Sequence, residues 1–416
     1  MPNPPYLVSL WQIPAVYVPF AFAFGAIVGS FLNVVILRLP AGENLISPPS
    51  RCPKCGRRLR WHENLPVLGW LRLGGKCAGC RAPISVQYPL IEFVTGLFFA
   101  ACFTLFYIVH WNAPVLGAVA PDWLPRLGVN ETWPIYLLYV LVFSALLAMT
   151  VIDLRTYTIP IEITWAVTVP AILGHTLYAW WASGGTIRLP LSPAPNGGLQ
   201  LAEWALPLVG PGVFGAAVGG MLGVIGGWIM LRANWLRYSF LDFDLYVGAE
   251  DQIIDYPHPR RELEWEIDYL APVLLGLVVG GHLGGQWAGA TLPLWAAALG
   301  GSLAGYLVGA GLVWGIRILG TVAFGKEAMG LGDAHLLGCV GAALGWIDPI
   351  LIFFLAPFLA ILWVLFAAVF SRILGKPQRY IPYGPWLAAA TIVVMFGDGF
   401  LEPFLGALIR LPINLP

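Results

Sequence analysis

About ten apolar stretches of roughly 20 residues run along this chain of 416 residues, and they constrain its fold more than any other feature. A helix needs about 20 apolar residues to cross a bilayer, and it satisfies its own backbone polar groups without water. Charged residues make up 11% of the chain, whereas a soluble domain has about 25%. The sequence therefore predicts an all-α polytopic membrane protein with about 8–10 transmembrane helices. The stretches lie near residues 15–37, 88–109, 134–152, 161–181, 205–231, 270–288, 293–319, 333–347, 349–371 and 384–408.

Glycines are frequent in two of these stretches, 215-GAAVGGMLGVIGGW-228 and 300-GGSLAGYLVGAGLVWG-315. Small residues on membrane helices allow two backbones to approach closely. We interpret these glycines as packing positions between helices.

Basic residues are concentrated in the loop of residues 38–87, which contains nine of the 22 lysines and arginines in the chain. The only acidic residues in this loop are Glu43 and Glu63. By the positive-inside rule this loop is cytoplasmic. Counting spans onward places both chain termini outside, and places the ends of the spans that carry Asp153 and Asp333 on the cytoplasmic side. We expect the lipid bilayer as a partner, and no nucleic-acid partner.

Four cysteines of the same loop form two CxxC pairs, in 51-RCPKCGRRLRWHENLPVLGWLRLGGKCAGCRAPIS-85. Each pair directs two sulfurs toward one point, and two pairs complete a tetrahedral four-sulfur site of the kind that zinc prefers. Four thiolates leave no open coordination position, so the predicted zinc is structural, in a small zinc-ribbon-like loop. An iron site or a redox pair is the alternative interpretation. The predicted ligands are Cys52, Cys55, Cys77 and Cys80.

Two carboxylates stand at the predicted membrane edge, Asp153 in 148-AMTVIDLRTYTIP-160 and Asp333 in 330-GLGD-333. Charges in or beside membrane spans are costly, and are therefore informative about function. Two carboxylates at one depth can share a proton and activate a water, as in an aspartic protease. The alternative is an N-cap role for Asp333 and an ordinary interfacial charge for Asp153.

Several further segments carry a resemblance to a known family. They are 29-GSFLNVVILRLP-40, the double CxxC with 64-NLPVLGWLRLGGKC-77 between its halves, 87-QYPLIEFVTGLFF-99, the Asp153 turn ending at Pro160, 328-AMGLGDAHLL-337 and 382-PYGPWLA-388. In this order they resemble the type IV prepilin peptidases, or leader peptidase/N-methyltransferases, which are GxGD-type membrane aspartic proteases. The GxGD sequence alone is shared with presenilin-type proteases, which lack the four-cysteine loop.

The resemblance implies an aspartyl-dyad peptidase that cuts the short basic leader from pilin-like or pseudopilin precursors at the cytoplasmic face of the bacterial inner membrane. It implies Asp153 and Asp333 as the catalytic pair, with Pro160, Gly330 and Gly332 as supporting motif residues. It further implies N-methylation of the new N-terminus with S-adenosylmethionine, if that activity is retained. We expect the two glycines to permit sharp backbone turns and to leave room for an extended substrate.

The chain departs from the family pattern at two places. Ile161 separates Pro160 from the acidic residue Glu162, and His335 replaces the lysine that commonly lies two residues after the GxGD aspartate. His335 serves either as a donor at the site or as a packing residue against another helix. Glu92 and Arg38 are further candidate site residues, ranked below the two aspartates. Glu92 can pair with Arg38 or take part in methylation.

The long separation of Asp153 and Asp333 predicts an insert. We expect five segments: 1–37, the first span; 38–87, the zinc loop; 88–184, helices that carry the first aspartate; 185–290, an insert with two spans and an acidic cytoplasmic loop at 232–270; and 291–416, helices that carry GxGD. We interpret the acidic loop as a solvated surface, or alternatively as a docking surface for basic leaders. An ion-coupled transporter and a non-catalytic zinc-ribbon scaffold are the rival functions.

Overall fold

The structure, a computed structural model, describes residues 14–109, 128–184, 191–193, 199–201, 206–239, 259–287, 291–369 and 382–409. Helices make up most of this part of the chain. The helices are α1 (Val18–Arg38), α2 (Leu68–Arg72), α3 (Gln87–Tyr107), α4 (Val129–Thr156), α5 (Ile161–Ser183), α6 (Pro211–Arg232), α7 (Pro259–Gly285), α8 (Leu294–Phe324), α9 (Leu331–Leu344), α10 (Asp348–Val369) and α11 (Gly384–Ile409). Two short strands, β1 (Leu191–Pro193) and β2 (Leu199–Leu201), form a two-stranded sheet.

The predicted all-α polytopic fold is confirmed, since every predicted span coincides with a helix. Among the described residues, seven helices are long and apolar enough to cross a membrane. They are α1, α3, α4, α6, α7, α8 and α10. The predicted span at 333–347 is a helix of only 14 residues, α9, which is shorter than the roughly 20 residues that a crossing needs.

The chain divides into two compact units. The first contains α1 to α4 with the loop of residues 38–87, and also the C-terminal half of α11 from Phe396 onward. The second contains α5 to α10 and the N-terminal half of α11.

In the first unit, α1 packs directly on α3 because glycines of α1 face it. A Cβ atom at Gly25 would lie 2.7 Å from Cγ of Phe99, and one at Gly29 would lie 2.7 Å from Cα of Glu92. The Asn33 side chain strengthens this contact by donating from Nδ2 to the Tyr88 carbonyl at 3.1 Å. The segment 29-GSFLN-33 is therefore a helix-packing motif that fixes where α3 begins.

In the second unit, glycines bring α6 against α7 and α8 against α9. Gly219 of α6 meets the backbone of Gly276 of α7, and Gly305 of α8 meets the backbone of Gly341 of α9. The Ser302 hydroxyl adds a bond to the Ala342 carbonyl at 2.6 Å. The predicted packing role of both glycine-rich spans is confirmed, and a short helix such as α9 is held by backbone contact along its length.

The predicted acidic loop at 232–270 ends earlier than expected, because α7 begins at Pro259. Its middle, residues 240–258, lies outside the described residues. Glu262 and Glu266 are buried on α7, with 4% and 2% of their surface exposed. The interpretation of this whole segment as a solvated surface is therefore wrong for these two residues.

Candidate functional site

The four predicted metal ligands come together in one cluster. The sulfurs of Cys52, Cys55, Cys77 and Cys80 all lie within 4.8 Å of one another. Among the described residues these cysteines are the one group of histidine, cysteine or acidic side chains gathered closely enough to hold a metal ion. The sulfur-only donor set suits a soft or borderline ion such as zinc.

The two CxxC pairs fold into matching turns. The Cys52 amide donates to the Arg57 carbonyl at 2.9 Å, and the Cys77 amide donates to the Ala82 carbonyl at 2.8 Å. In each turn the residue after the second cysteine has a left-handed backbone, with φ +69° at Gly56 and +60° at Arg81. Glycine accepts this conformation freely, whereas arginine adopts it at an energetic cost.

Backbone amides prepare two of the thiols to ionise. The amides of Cys80 and Gly79 lower the pKa of Cys77 to about 6, and the Gly79 amide lies 3.4 Å from its sulfur. The amides of Cys55 and Lys54 lower the pKa of Cys52. The pKa of Cys80 rises to about 11, because desolvation and the neighbouring thiols outweigh the Ala82 amide that lowers it. Four crowded thiols cannot all ionise by themselves, so the cluster fits a bound divalent cation.

An ion pair joins the first CxxC turn to the rest of the loop. Arg57 donates from Nη2 to both carboxylate oxygens of Glu63, at 2.8 and 2.7 Å. The Arg60 amide donates to Glu63 Oε2 at 2.9 Å. These contacts lower the pKa of Glu63, Arg57 first and the Arg60 amide second. Glu63 thus links the first CxxC turn, through Arg57, to the loop that joins the two turns, through the Arg60 amide.

Glu92 anchors the same loop to α3. It is buried, and its Oε2 accepts a hydrogen bond at 2.7 Å from the amide of Val67, the residue that precedes α2. Val67 has φ +59°, which is rare for a β-branched residue. The expected pairing of Glu92 with Arg38 is wrong, because Arg38 donates to the carbonyls of Asn44 and Pro48 at 3.0 and 2.8 Å.

Asp153 lies in the last turn of α4 and is buried, with 5% of its surface exposed. The helix ends because Tyr157 takes a left-handed conformation at φ +53°, with its amide bonded to the Asp153 carbonyl at 2.9 Å. Pro160 follows, and α5 begins at the next residue. A buried carboxylate thus stands at a helix end, beside a turn of four residues.

Asp333 is the third residue of α9, in the second unit. The N-cap position belongs to Gly330, so the alternative of an N-cap aspartate is wrong. The positive end of the helix dipole favours a carboxylate in this first turn. The side chain turns back over the N-cap, because a Cβ atom at Gly330 would lie 3.7 Å from Asp333 Oδ2.

The expectation of sharp turns at the GxGD glycines is not met. Gly330 is extended, with φ −74° and ψ 145°, and Gly332 is helical. Other residues adopt both conformations readily. What Gly330 contributes is the missing side chain, since a Cβ atom there would contact the Asp333 carboxylate.

His335 packs toward α8, with its Nδ1 3.4 Å from the Tyr306 hydroxyl. This favours the packing interpretation of His335 over that of a donor to substrate. Tyr383, just before α11, is close enough to Asp333 to respond to its charge. Burial raises the pKa of Tyr383 to about 12, and the Asp333 carboxylate adds to the rise.

Sequence reasoning overlooked Arg317 and Glu266. Both are 98% buried, and the Arg317 Nη2 donates to Glu266 Oε1 at 3.0 Å. Arg317 also donates to the carbonyl of Met329, just before the GxGD sequence. A lone arginine within an apolar span was the signal that would have identified it.

Comparison with known proteins matches this chain to one family. The N-terminal domain model of bacterial A24 peptidases matches residues 23–106. A prepilin leader peptidase/N-methyltransferase from Myxococcus xanthus is 50% identical over 101 residues, which cover 24% of this chain and 30% of the relative. Proteins of the same name from Burkholderia pseudomallei and Aeromonas hydrophila match over longer stretches.

The Burkholderia protein is 31% identical over 239 residues, covering 50% of this chain and 68% of the relative. The Aeromonas protein is 25% identical over 419 aligned residues, covering 94% of this chain and 95% of the relative. No solved structure matches the chain. The extent of these matches, together with the cysteine cluster and the helical fold, shows that this chain belongs to the prepilin leader peptidase/N-methyltransferase family.

Proposed function

We propose that this protein is a membrane aspartic endopeptidase that removes the short basic leader of type IV prepilin-like or pseudopilin precursors. The observation that carries the proposal is the position of two carboxylates. Asp153 lies in the last turn of one helix and Asp333 in the first turn of another, and both belong to segments that carry the family resemblance. The names of the relatives support the same reaction.

In the proposed mechanism Asp153 and Asp333 share one proton. Repulsion between two nearby carboxylates holds that proton on the pair near neutral pH. The ionised member takes a proton from the attacking water while the protonated member gives its proton to the peptide carbonyl oxygen. The C–N bond then breaks as the leaving amine receives a proton from the pair, while one hydroxyl of the tetrahedral intermediate returns its proton to the pair and becomes the carbonyl oxygen of the new carboxyl group. The absence of side chains at Gly330 and Gly332 would leave room for an extended peptide.

The cysteine cluster has a structural role in this proposal. Cys52, Cys55, Cys77 and Cys80 would hold one zinc ion and use all of its coordination positions. Bound zinc would cross-link the two CxxC turns. The loop then presents a stable surface beside the membrane, joined to α3 through Glu92 and Val67.

N-methylation of the cleaved product is the second activity that the names of the relatives support. It would consume S-adenosylmethionine and transfer one methyl group to the new N-terminal amine. The part of the chain described by the structure contains no side-chain set that identifies a site for this cofactor, so we derive no residue roles for methyl transfer.

The proposed location is the bacterial inner membrane, with the zinc loop and both aspartates at the cytoplasmic face. Its basis is the charge of the loop at 38–87. A cysteine introduced at Gly42 or at Val129 tests it in intact cells with a membrane-impermeant thiol reagent, each beside the parent protein without the introduced cysteine. We expect labelling at Val129 and none at Gly42. Labelling at Gly42 from outside would contradict the proposed topology.

Leader cleavage itself is tested with the purified protein in detergent and a pilin precursor, with the products analysed by mass spectrometry. We expect loss of the leader and, where methylation is retained, a further gain of one methyl group when S-adenosylmethionine is added. An uncleaved precursor would contradict the proposal. It would favour the ion-coupled transporter or the scaffold, which proton flux measurements in proteoliposomes would separate.

A further inference from the structure

Arg317 is a charged side chain buried near the end of α8, with 2% of it exposed. Its Nε lies 3.2 and 3.3 Å from the two oxygens of Glu266, and its Nη2 donates to Oε1 at 3.0 Å. Trp314 also donates from Nε1 to Glu266 Oε2, at 2.8 Å. A buried ion pair is costly unless its remaining polar atoms have hydrogen-bond partners. The partners of the remaining Arg317 nitrogen therefore indicate what the pair holds in place.

The other edge of the Arg317 guanidinium faces the loop between α8 and α9. Its Nη1 donates to the Met329 carbonyl and to Glu327 Oε1. Met329 directly precedes Gly330, the N-cap of α9. One guanidinium therefore connects α7, α8 and the residue that leads into the helix carrying Asp333.

A second contact holds the same loop. The Ala328 amide lies 3.3 Å from the Thr321 hydroxyl oxygen, and Thr321 is 1% exposed. Gly325 ends α8 with φ +69°, which turns the chain back along the helix. Residues 325–329 are thus laid along the last turns of α8, and Arg317 fixes their C-terminal end.

We propose that Arg317 is a positioning residue for Asp333, and that Glu266, on the second helix of the predicted insert, holds Arg317 in place. This inference rests on the proposed role of Asp333 in catalysis. Asp333 is four residues beyond Met329, so the anchored carbonyl sets where α9 begins and where its first-turn carboxylate lies. A displacement of about 1 Å at a catalytic group can cost about 100-fold in rate.

The arrangement also explains why arginine occupies this position. The planar guanidinium uses Nε and Nη2 on Glu266 while Nη1 remains for Met329 and Glu327. A lysine ammonium is a compact point charge without this fork geometry. It reaches either Glu266 or the loop carbonyl, so it keeps the buried charge without the bridge.

The test compares Arg317→Met, Arg317→Lys and Glu266→Gln in the full-length protein in detergent, with rates normalised to the monodisperse folded fraction. We expect Arg317→Met to lower kcat for precursor cleavage by about 10- to 100-fold with KM changed less than about twofold. Arg317→Lys should remain folded with a smaller loss of kcat. Arg232→Met is the matched control, because Arg232 is exposed and lies over the Trp228 ring.

Hydrogen exchange of the segment 328–336 provides a readout that does not depend on activity. We expect this segment to exchange faster than in the wild type in Arg317→Met and in Glu266→Gln. In Arg232→Met it should exchange at the wild-type rate. A folded Arg317→Met protein with wild-type kcat and wild-type exchange would overturn the positioning role while leaving the peptidase proposal intact. If the wild type does not cleave the precursor, the proposed function fails, and the exchange data still decide whether Arg317 holds the loop.

Discussion

Replacement of either Asp153 or Asp333 by asparagine is expected to reduce leader cleavage by about 100- to 10,000-fold, the range that general acid–base catalysis typically supplies. Asparagine preserves the shape of the side chain and cannot exchange a proton with water or with the leaving amine. Because asparagine and aspartate have nearly the same volume, neither change opens a cavity or crowds a neighbouring side chain. The variants should insert into the membrane at wild-type levels.

The double variant is expected to be no slower than either single variant, because residues that act as one unit are not additive. Asp268→Asn is the matched control, since Asp268 is exposed on α7. Cleavage is measured as the rate of leader loss by mass spectrometry. Wild-type processing by either asparagine variant would remove the dyad from the mechanism, and Asp333 would then be a charge at a helix N-terminus.

The features that the sequence predicted well are those that depend on local composition. Each predicted span became a helix, because a length of about 20 apolar residues is sufficient to define one. Most of the glycines at 215–228 and 300–315 became contact positions, since close backbone approach needs small residues. The CxxC pairs converged for a similar reason, as each pair fixes its two sulfurs through a short turn.

The features that could not be predicted depend on contacts between distant segments. Glu266 and Arg317 are 51 residues apart in sequence. The acidic residues around Glu266 predict a solvent-exposed loop. Its burial follows from the close packing of α6 on α7 and from Arg317 on α8. The bond from Val67 to Glu92 depends on where the cysteine loop meets α3, and no periodicity encodes this.

Simultaneous replacement of Cys52 and Cys77 by serine is expected to abolish metal binding, whereas the wild type should carry about one zinc per chain. These two cysteines come from different turns and have the thiols whose pKa is lowered by backbone amides. Serine keeps the size of the side chain and is not a thiolate ligand. The variant is left with half of the sulfur ligands that a closed tetrahedral site requires.

The loss of metal should unfold the loop at 51–85 and leave the membrane helices in place. Binding of zinc to four-ligand sites contributes on the order of 10 kcal/mol, and the part of the loop around the cluster offers Arg57 and Glu63 as its main polar support. Metal content is measured by mass spectrometry, and loop integrity by limited proteolysis. Cys339→Ser is the control, since Cys339 is buried in α9 away from the cluster.

Leader cleavage should fall in the double cysteine variant through the fold of the loop, because a closed metal site has no position for substrate or water. The residual activity should therefore keep the wild-type dependence on Asp153 and Asp333. A metal-free wild-type preparation whose loop resists protease would contradict the structural zinc. Full cleavage by a variant with an unfolded loop would show that the loop has no part in presenting the precursor, and would restrict the peptidase to its membrane helices.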